Sequence, residues 1–279
     1  MIADPRTTPS NGRIAHASLK GAVEADRYTE GQWMMVAQPI THMTDAPNGA
    51  RISQLMFGER FLVLDSINGF AFGQAERDGY VGYLPSSILS QAEAPTHWVM
   101  APATHLYPRA EFKSAPDVSL FFASQVRVTD QEGEFRRIHT GHFIPAQHLM
   151  PISARFSDPV GIADLFLGTP YLWGGCSRWG IDCSGLVQSC LIACGQPCPR
   201  DSDQQEEIMG EMIPDDAPLK RGDLIFWDGH VGMMSSDTML LHANAHHMAV
   251  AYEPLEDAVA RIGAKEFGQV TSRKRVALS

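Results

Sequence analysis

The sequence contains no apolar run approaching the ~20 residues of a membrane-spanning helix, which excludes a helical integral membrane protein. Positive charge is scarce. The 22 lysines and arginines stand against 32 aspartates and glutamates, a net charge of −10. Nucleic acid and anionic membranes call for a basic patch, so neither is expected as a partner. Residues 1–30 lack the apolar segment of an export signal. Cysteines are few and odd in number, five in all, with four of them between Cys183 and Cys198. A secreted chain would pair them, so the expectation is a cytoplasmic protein with reduced thiols. Glycines 174, 175 and 180 lie close together, but the Lys-Ser/Thr ending of a phosphate-binding loop is missing. Cys190, Cys194 and Cys198 match no usual zinc spacing. No metal and no organic cofactor is expected.

A chain of this length divides into two or more domains. Residues 1–30 are polar and read as an arm lying on another part of the molecule. Over residues 31–92, short apolar runs follow one another: Trp33–Val36, Ile52–Phe57, Phe61–Asp65, Phe70–Gln74 and Tyr80–Leu84. Asn68-Gly69 and Asp78-Gly79 separate the later runs and are strong hairpin signals. Five short strands in about sixty residues describe a small β-barrel. The theme recurs over residues 93–152, and Tyr83-Leu84-Pro85 and Phe143-Ile144-Pro145 end the two segments alike, a weak tandem repeat.

From residue 153 onward, to 279, the pattern changes. Pro159–Leu167 and Cys183–Cys194 predict helices, the second stopped by Gly195 and Pro197. Leu224–Trp227, His230–Met234, Met239–His242 and Met248–Tyr252 are of strand length. Helices packed on an antiparallel sheet make an α+β domain.

Cys183 opens its helix behind Asp182, a good N-cap. A helix N-terminus and a neighbouring histidine both favour a thiolate, the nucleophilic form of cysteine. His230 follows the tight turn Asp228-Gly229, and His242 lies twelve residues on. On adjacent antiparallel strands the two rings would meet on one face, His242 orienting His230 as the base. Cys190, Cys194 and Cys198 read as small buried hydrophobes. On these residues alone, burial of Cys183 and a metal site at His242, His246 and His247 stay open.

Six blocks, in order, resemble the NlpC/P60 family of peptidoglycan-peptide cysteine peptidases. They are Pro170-Tyr171-Leu172-Trp173-Gly174-Gly175, Asp182-Cys183-Ser184-Gly185-Leu186-Val187, Arg200-Asp201-Ser202-x-x-Gln205, Gly222–Trp227, His230-Val231-Gly232 and His242-Ala243. The two β segments resemble bacterial SH3 domains. The resemblance implies two small SH3-like β-barrels followed by a papain-like α+β domain, with Cys183 as nucleophile, His230 as base and His242 as third member. It implies cleavage between the γ-carboxyl of D-Glu and a diamino acid. Members with SH3 domains ahead of the peptidase and no export signal resemble the muropeptide-recycling type, which releases L-Ala-γ-D-Glu from a murein tripeptide with a free N-terminal L-Ala. On that pattern Asp182 pairs with the substrate ammonium, Ser184 and Ser202 bond its polar groups, and Tyr171 lies near the scissile carbonyl. Asp45 and Tyr80 are the SH3 acid and tyrosine that close the cleft. The family's acid commonly stands just before the turn proline, where this chain has Ala46, with Asp45 one place earlier. An exported stem-peptide endopeptidase, an acyl transferase using the same thiol and an inactive peptide-binding module are the alternatives.

Overall fold

The structure, a computed structural model, describes residues 4–214 and 216–278. The expected arm and the expected last domain each reach slightly beyond these, at residues 1–3, 215 and 279. The chain forms two compact units, Met1–Ala154 and Arg155–Ser279.

The first unit is built from β-strands. Seven of them form one antiparallel sheet: Gln32–Val36, Ile40–Thr44, Arg51–Met56, Arg60–Ile67, Phe70–Ala75, Val81–Pro85 and Leu89–Gln91. Asn68 and Gly69 both take positive φ, 51° and 83°, the conformation that a two-residue hairpin turn demands. Two of these strands have weak apolar signatures. In Ile40–Thr44 the inward positions are Thr41 and Met43, so a single large apolar side chain marks it. Val36, Met43, Leu55, Phe61, Ala71, Ala75, Tyr80 and Leu84 form the core. Tyr80, expected beside a ligand, packs its ring in this core and is 5% exposed.

A second core follows in the same unit: Val99, Leu106, Leu120, Val126, Ile138, Ile144 and Leu149, joined by Phe57. Its strands form three small antiparallel sheets rather than one. The repeat is visible in its ending. Pro85 and Pro145 adopt nearly equal backbone angles, and each leads through a short 3-10 helix into a final strand, Leu89–Gln91 and Leu149–Pro151. The N-terminal residues lie on the first barrel. Ile14 packs with Leu62, Leu64, Phe72 and Val81, and both Arg13 and Arg27 pair with the buried Asp65. The arm covers apolar surface that a lone barrel would leave wet.

In the second unit the helices are α1 (Pro159–Asp164), α2 (Cys183–Ala193), α3 (Ser202–Ile208) and α4 (Leu255–Lys265). The strands are β1 (Glu211–Met212), β2 (Leu224–Trp227), β3 (His230–Met234), β4 (Met239–Asn244), β5 (Ala249–Pro254) and β6 (Ser272–Arg275). They pair antiparallel in the order β1-β6-β2-β3-β4-β5. Every residue of β2 and β3 is buried, as their unbroken apolar runs require. α2 packs against β3 and β4. Ala258 and Ile262 of α4 cover the sheet face that carries Ile225, Trp227, Met234 and Leu240. His230 shares that face with Met234, and His242 shares it with Leu240, because side chains alternate along a strand.

Candidate active site

The site begins at the start of α2. Asp182 caps the helix, its Oδ1 accepting from the Gly185 amide at 2.8 Å. Its Oδ2 accepts from the Gly174 amide at 2.8 Å, which ties the preceding loop to the helix. That loop comes very close. A Cβ at position 185 would stand 2.4 Å from the Gly175 carbonyl oxygen, so only glycine fits there.

Arg200 completes the arrangement. Its guanidinium is 1% exposed and donates from Nη1 to Asp182 Oδ1 at 3.0 Å and from Nη2 to Oδ2 at 2.7 Å. Nη1 also reaches Ser184 Oγ at 2.9 Å. Gln205, fully buried, donates to the carbonyl oxygens of Ser184 and Pro199. Asp182 and Ser184, expected as direct ligands of substrate, are thus both engaged within the protein. Asp182 is neutralised by a guanidinium and saturated by two amides, and the Ser184 hydroxyl faces Arg200. Both hold the nucleophile's helix in place.

Cys183 is 5% exposed. The amides of Val231 and Ser184 donate toward its sulfur, which sets it beside β3 at the residue following His230. Burial, with the Asp182 charge second, pushes the thiol up to about 12 against the pull of those amides and of Arg200. Tyr171 is half-buried nearby. Burial and the negative charges of Cys183 and Asp182 hold its phenol well above the ordinary range. Ser202 is half-buried at the first position of α3. Asp45 lies in the first unit, exposed, with Oδ1 accepting from the Ala50 amide at 2.8 Å.

The two histidines meet. β3 and β4 pair with Met233 opposite Leu241, so His230 and His242 are diagonal neighbours on one face. His230 Nε2 stands 2.9 Å from His242 Nδ1. His242 Nε2 stands 3.0 Å from Glu253 Oε2 on β5. Arg261 of α4 donates to both oxygens of Glu253, at 2.9 Å and 2.7 Å. Phe267 stacks on the His230 ring, with centroids 5.5 Å apart and planes 4° from parallel. Glu253 and Arg261 are absent from the sequence reading. Their signal is the β5 register: Glu253 pairs with Leu240, two residues from His242 and on its face.

Burial, then the neighbouring His242 and Arg261, drives the His230 ring down to about 3. His242 is lowered too, chiefly by burial. Glu253 is held well below the carboxylate range by its bonds from Arg261 and His242. Before substrate arrives, thiol and ring are thus both neutral, not the standing thiolate that a helix N-terminus alone would produce. Each charge by itself is costly when buried. The histidines and Glu253 also answer the metal alternative. His242, His247 and Glu253 bring ligand atoms within 4.8 Å of one another, but the Arg261 cation already holds the Glu253 carboxylate. His246 and His247 lie exposed on the β4–β5 turn.

An acid dependence follows. An unfolded histidine titrates near ~6.5, whereas folded His230 resists protonation until about 3. Across that window the unfolded chain binds a proton that the folded one refuses, so stability falls as pH falls. By pH 4 the loss from this ring is about 3 kcal/mol. Calorimetry at pH 7 and pH 4 should show the fall, and His230→Gln should show a smaller one. Equal falls in the two proteins would refute the assignment.

Comparison with known proteins places both parts of the chain among described families. The model of the NlpC/P60 family matches residues 168–261, and that of the bacterial dipeptidyl-peptidase SH3 domain matches residues 43–89. The chain is 29% identical over 217 residues to a gamma-D-glutamyl-L-lysine dipeptidyl-peptidase of Bacillus subtilis (strain 168), 68% of this chain and 71% of that protein. It is 33% identical over 109 residues to the probable endopeptidase NlpC of Escherichia coli (strain K12), 34% of this chain and 70% of that one. The crystal structure of an NlpC/P60 family protein from Bacillus cereus superimposes with a TM-score of 0.74 at 18% identity, covering 89% of this chain and all of that one, a likeness of fold.

Proposed function

This chain belongs to the NlpC/P60 family of cysteine peptidases, and we propose that it hydrolyses the bond between the γ-carboxyl of D-Glu and an L-diamino acid in peptidoglycan-derived peptides with a free N-terminal L-Ala. The observation that carries this is the pairing of domains: a dipeptidyl-peptidase SH3 domain stands ahead of the peptidase domain. Two relatives with which the chain shares some seven-tenths of their length are named gamma-D-glutamyl-L-lysine dipeptidyl-peptidases. The product is L-Ala-γ-D-Glu. Five buried cysteines outside any disulfide fit a reducing compartment, so we place the reaction in the cytoplasm, in the recycling of wall peptides.

In this reading His230 takes the thiol proton as Cys183 attacks the γ-glutamyl carbonyl. The backbone N–H of Cys183, at the start of α2, donates to the developing oxyanion. The protonated ring then gives its proton to the leaving amine and a thioester remains. Water, deprotonated by the same ring, cleaves the thioester and restores the thiol. Asp45 is the assigned partner of the substrate ammonium, with one carboxylate oxygen engaged by its own turn. Tyr171 and Ser202 line the acyl side.

The test uses L-Ala-γ-D-Glu-L-Lys, its meso-diaminopimelate counterpart and the same peptides acetylated at the N-terminus, with products read by mass spectrometry. L-Ala-γ-D-Glu should appear from the free-amine peptides and fall by about 100-fold or more from the acetylated ones, since the Asp45 carboxylate then loses its ammonium and the acetyl group occupies the place of the free N-terminus. Equal rates on both would refute the free-amine requirement. Cleavage of neither would refute the substrate class.

A further inference from the structure

The hydrogen-bonded array does not end at the third residue. It continues from His242 to Glu253 and on to Arg261. We propose that Glu253, fixed by Arg261, is a positioning residue that sets the direction of every proton in the array and so makes His230 a base toward Cys183. The proposal rests on the hydrolytic reading above and deepens it.

The argument is one of donors and acceptors. Arg261 donates to both Glu253 oxygens and carries a permanent charge, so Glu253 is a carboxylate and only accepts. The His242 nitrogen 3.0 Å away must then be the protonated one, Nε2–H. A neutral imidazole has one N–H, so His242 Nδ1 is bare and accepts. His230 Nε2, 2.9 Å from it, must carry a proton and donate. His230 Nδ1 is therefore left bare, and it is the nitrogen free to take the thiol proton. Each assignment follows from the one before, and the carboxylate is the first. Exposure supports the same order: His242 is fully buried, His230 is 3% exposed and Glu253 is 7% exposed, so no solvent is at hand to supply the other tautomers.

Glutamine in place of Glu253 keeps the shape but removes the one-way instruction. Its amide either accepts from His242 or donates to it, and in the second case both ring tautomers reverse and His230 Nδ1 carries the proton. Partners one step behind a catalytic group typically change activity by about 10–100-fold. Glu253→Gln should therefore lower kcat by about that factor with KM within about twofold, while Glu253→Asp should keep more of the activity.

The decisive measurement needs no substrate. In 15N-histidine NMR of the unaltered protein at neutral pH, His230 and His242 should each show a protonated Nε2 and a bare Nδ1. In Glu253→Gln the His242 signals should shift toward the opposite tautomer. A proton on His242 Nδ1 in the unaltered protein would overturn the proposal, whether or not the variant folds. So would a Glu253→Gln enzyme with unchanged kcat, or one whose loss lies in KM alone. An unaltered protein that cleaves none of the peptides would fail the substrate reading instead, and the NMR result would stand apart from it.

Discussion

Cys183→Ala should lose peptide hydrolysis by about 10⁵-fold or more and keep its fold. Removing the nucleophile from a covalent hydrolase costs nearly all its rate, because the remaining groups act only through it. The fold should survive because the thiol is held neutral by burial, so its removal leaves no buried charge without a partner. Alanine leaves a void of one atom, worth about 1 kcal/mol and a few °C in melting temperature. The variant should also bind the free-amine tripeptide without turnover, which calorimetric titration would detect. A Cys183→Ala enzyme that retains a few per cent of activity would show that another group makes the attack and would remove the covalent mechanism.

The largest stability effect is expected at Arg200. This guanidinium is 1% exposed and bonded to both oxygens of Asp182. Arg200→Ala would leave a carboxylate buried without its countercharge, at a cost of about 3–5 kcal/mol. Asp182→Asn would strand the guanidinium in the same way, although its side-chain oxygen would still accept from one helix amide. The pair replaced together, Arg200→Ala with Asp182→Asn, should be less damaged than the sum of the two. Urea unfolding of the four proteins yields the coupling directly. A loss below about 1 kcal/mol in Arg200→Ala would mean that the pair contributes little. The series also tests whether Asp182 meets the substrate. If Asp182 met the substrate ammonium, Asp182→Asn would erase the preference for free over acetylated peptides. With Arg200 already opposite it, that preference should persist in whatever folded enzyme remains.

The positions of Cys183, His230 and His242 were legible because each is announced by its immediate neighbours. Asp182 and Gly185 mark the start of the helix at Cys183, Asp228-Gly229 marks the turn before His230, and the spacing to His242 suits one strand and its return. Arg200 and Glu253 lack such neighbours. Arg200 meets Asp182 only because α2 ends at Ala193 and the chain folds back along it, and Glu253 meets His242 only through the β4–β5 register. Long-range register is set by turns and cores together, so a one-dimensional pattern does not display it. Tyr80 misled for a related reason. Gly79-Tyr80-Val81-Gly82-Tyr83 places aromatic rings on both faces of a strand, and which tyrosine turns inward depends on the sheet. Tyr83 packs on the opposite face with Phe72 and the Ile14 cluster, its hydroxyl accepting from Asn11 at 3.2 Å, and Tyr80 fills the core. The short strand Ile40–Thr44 was hidden because threonine occupies an inward position.

The register of β3 on β4 has one more consequence. Met234 and Leu240 pair across it and join the core under α4, and the same alignment brings the two imidazoles within 2.9 Å. Sliding β4 by one residue would turn Leu240 out of the core and His242 away from His230 in a single movement. Hydrophobic order and proton conduction in this protein are thus one variable. A misaligned but compact form would be inert, and catalytic turnover itself serves as a gauge of correct strand alignment.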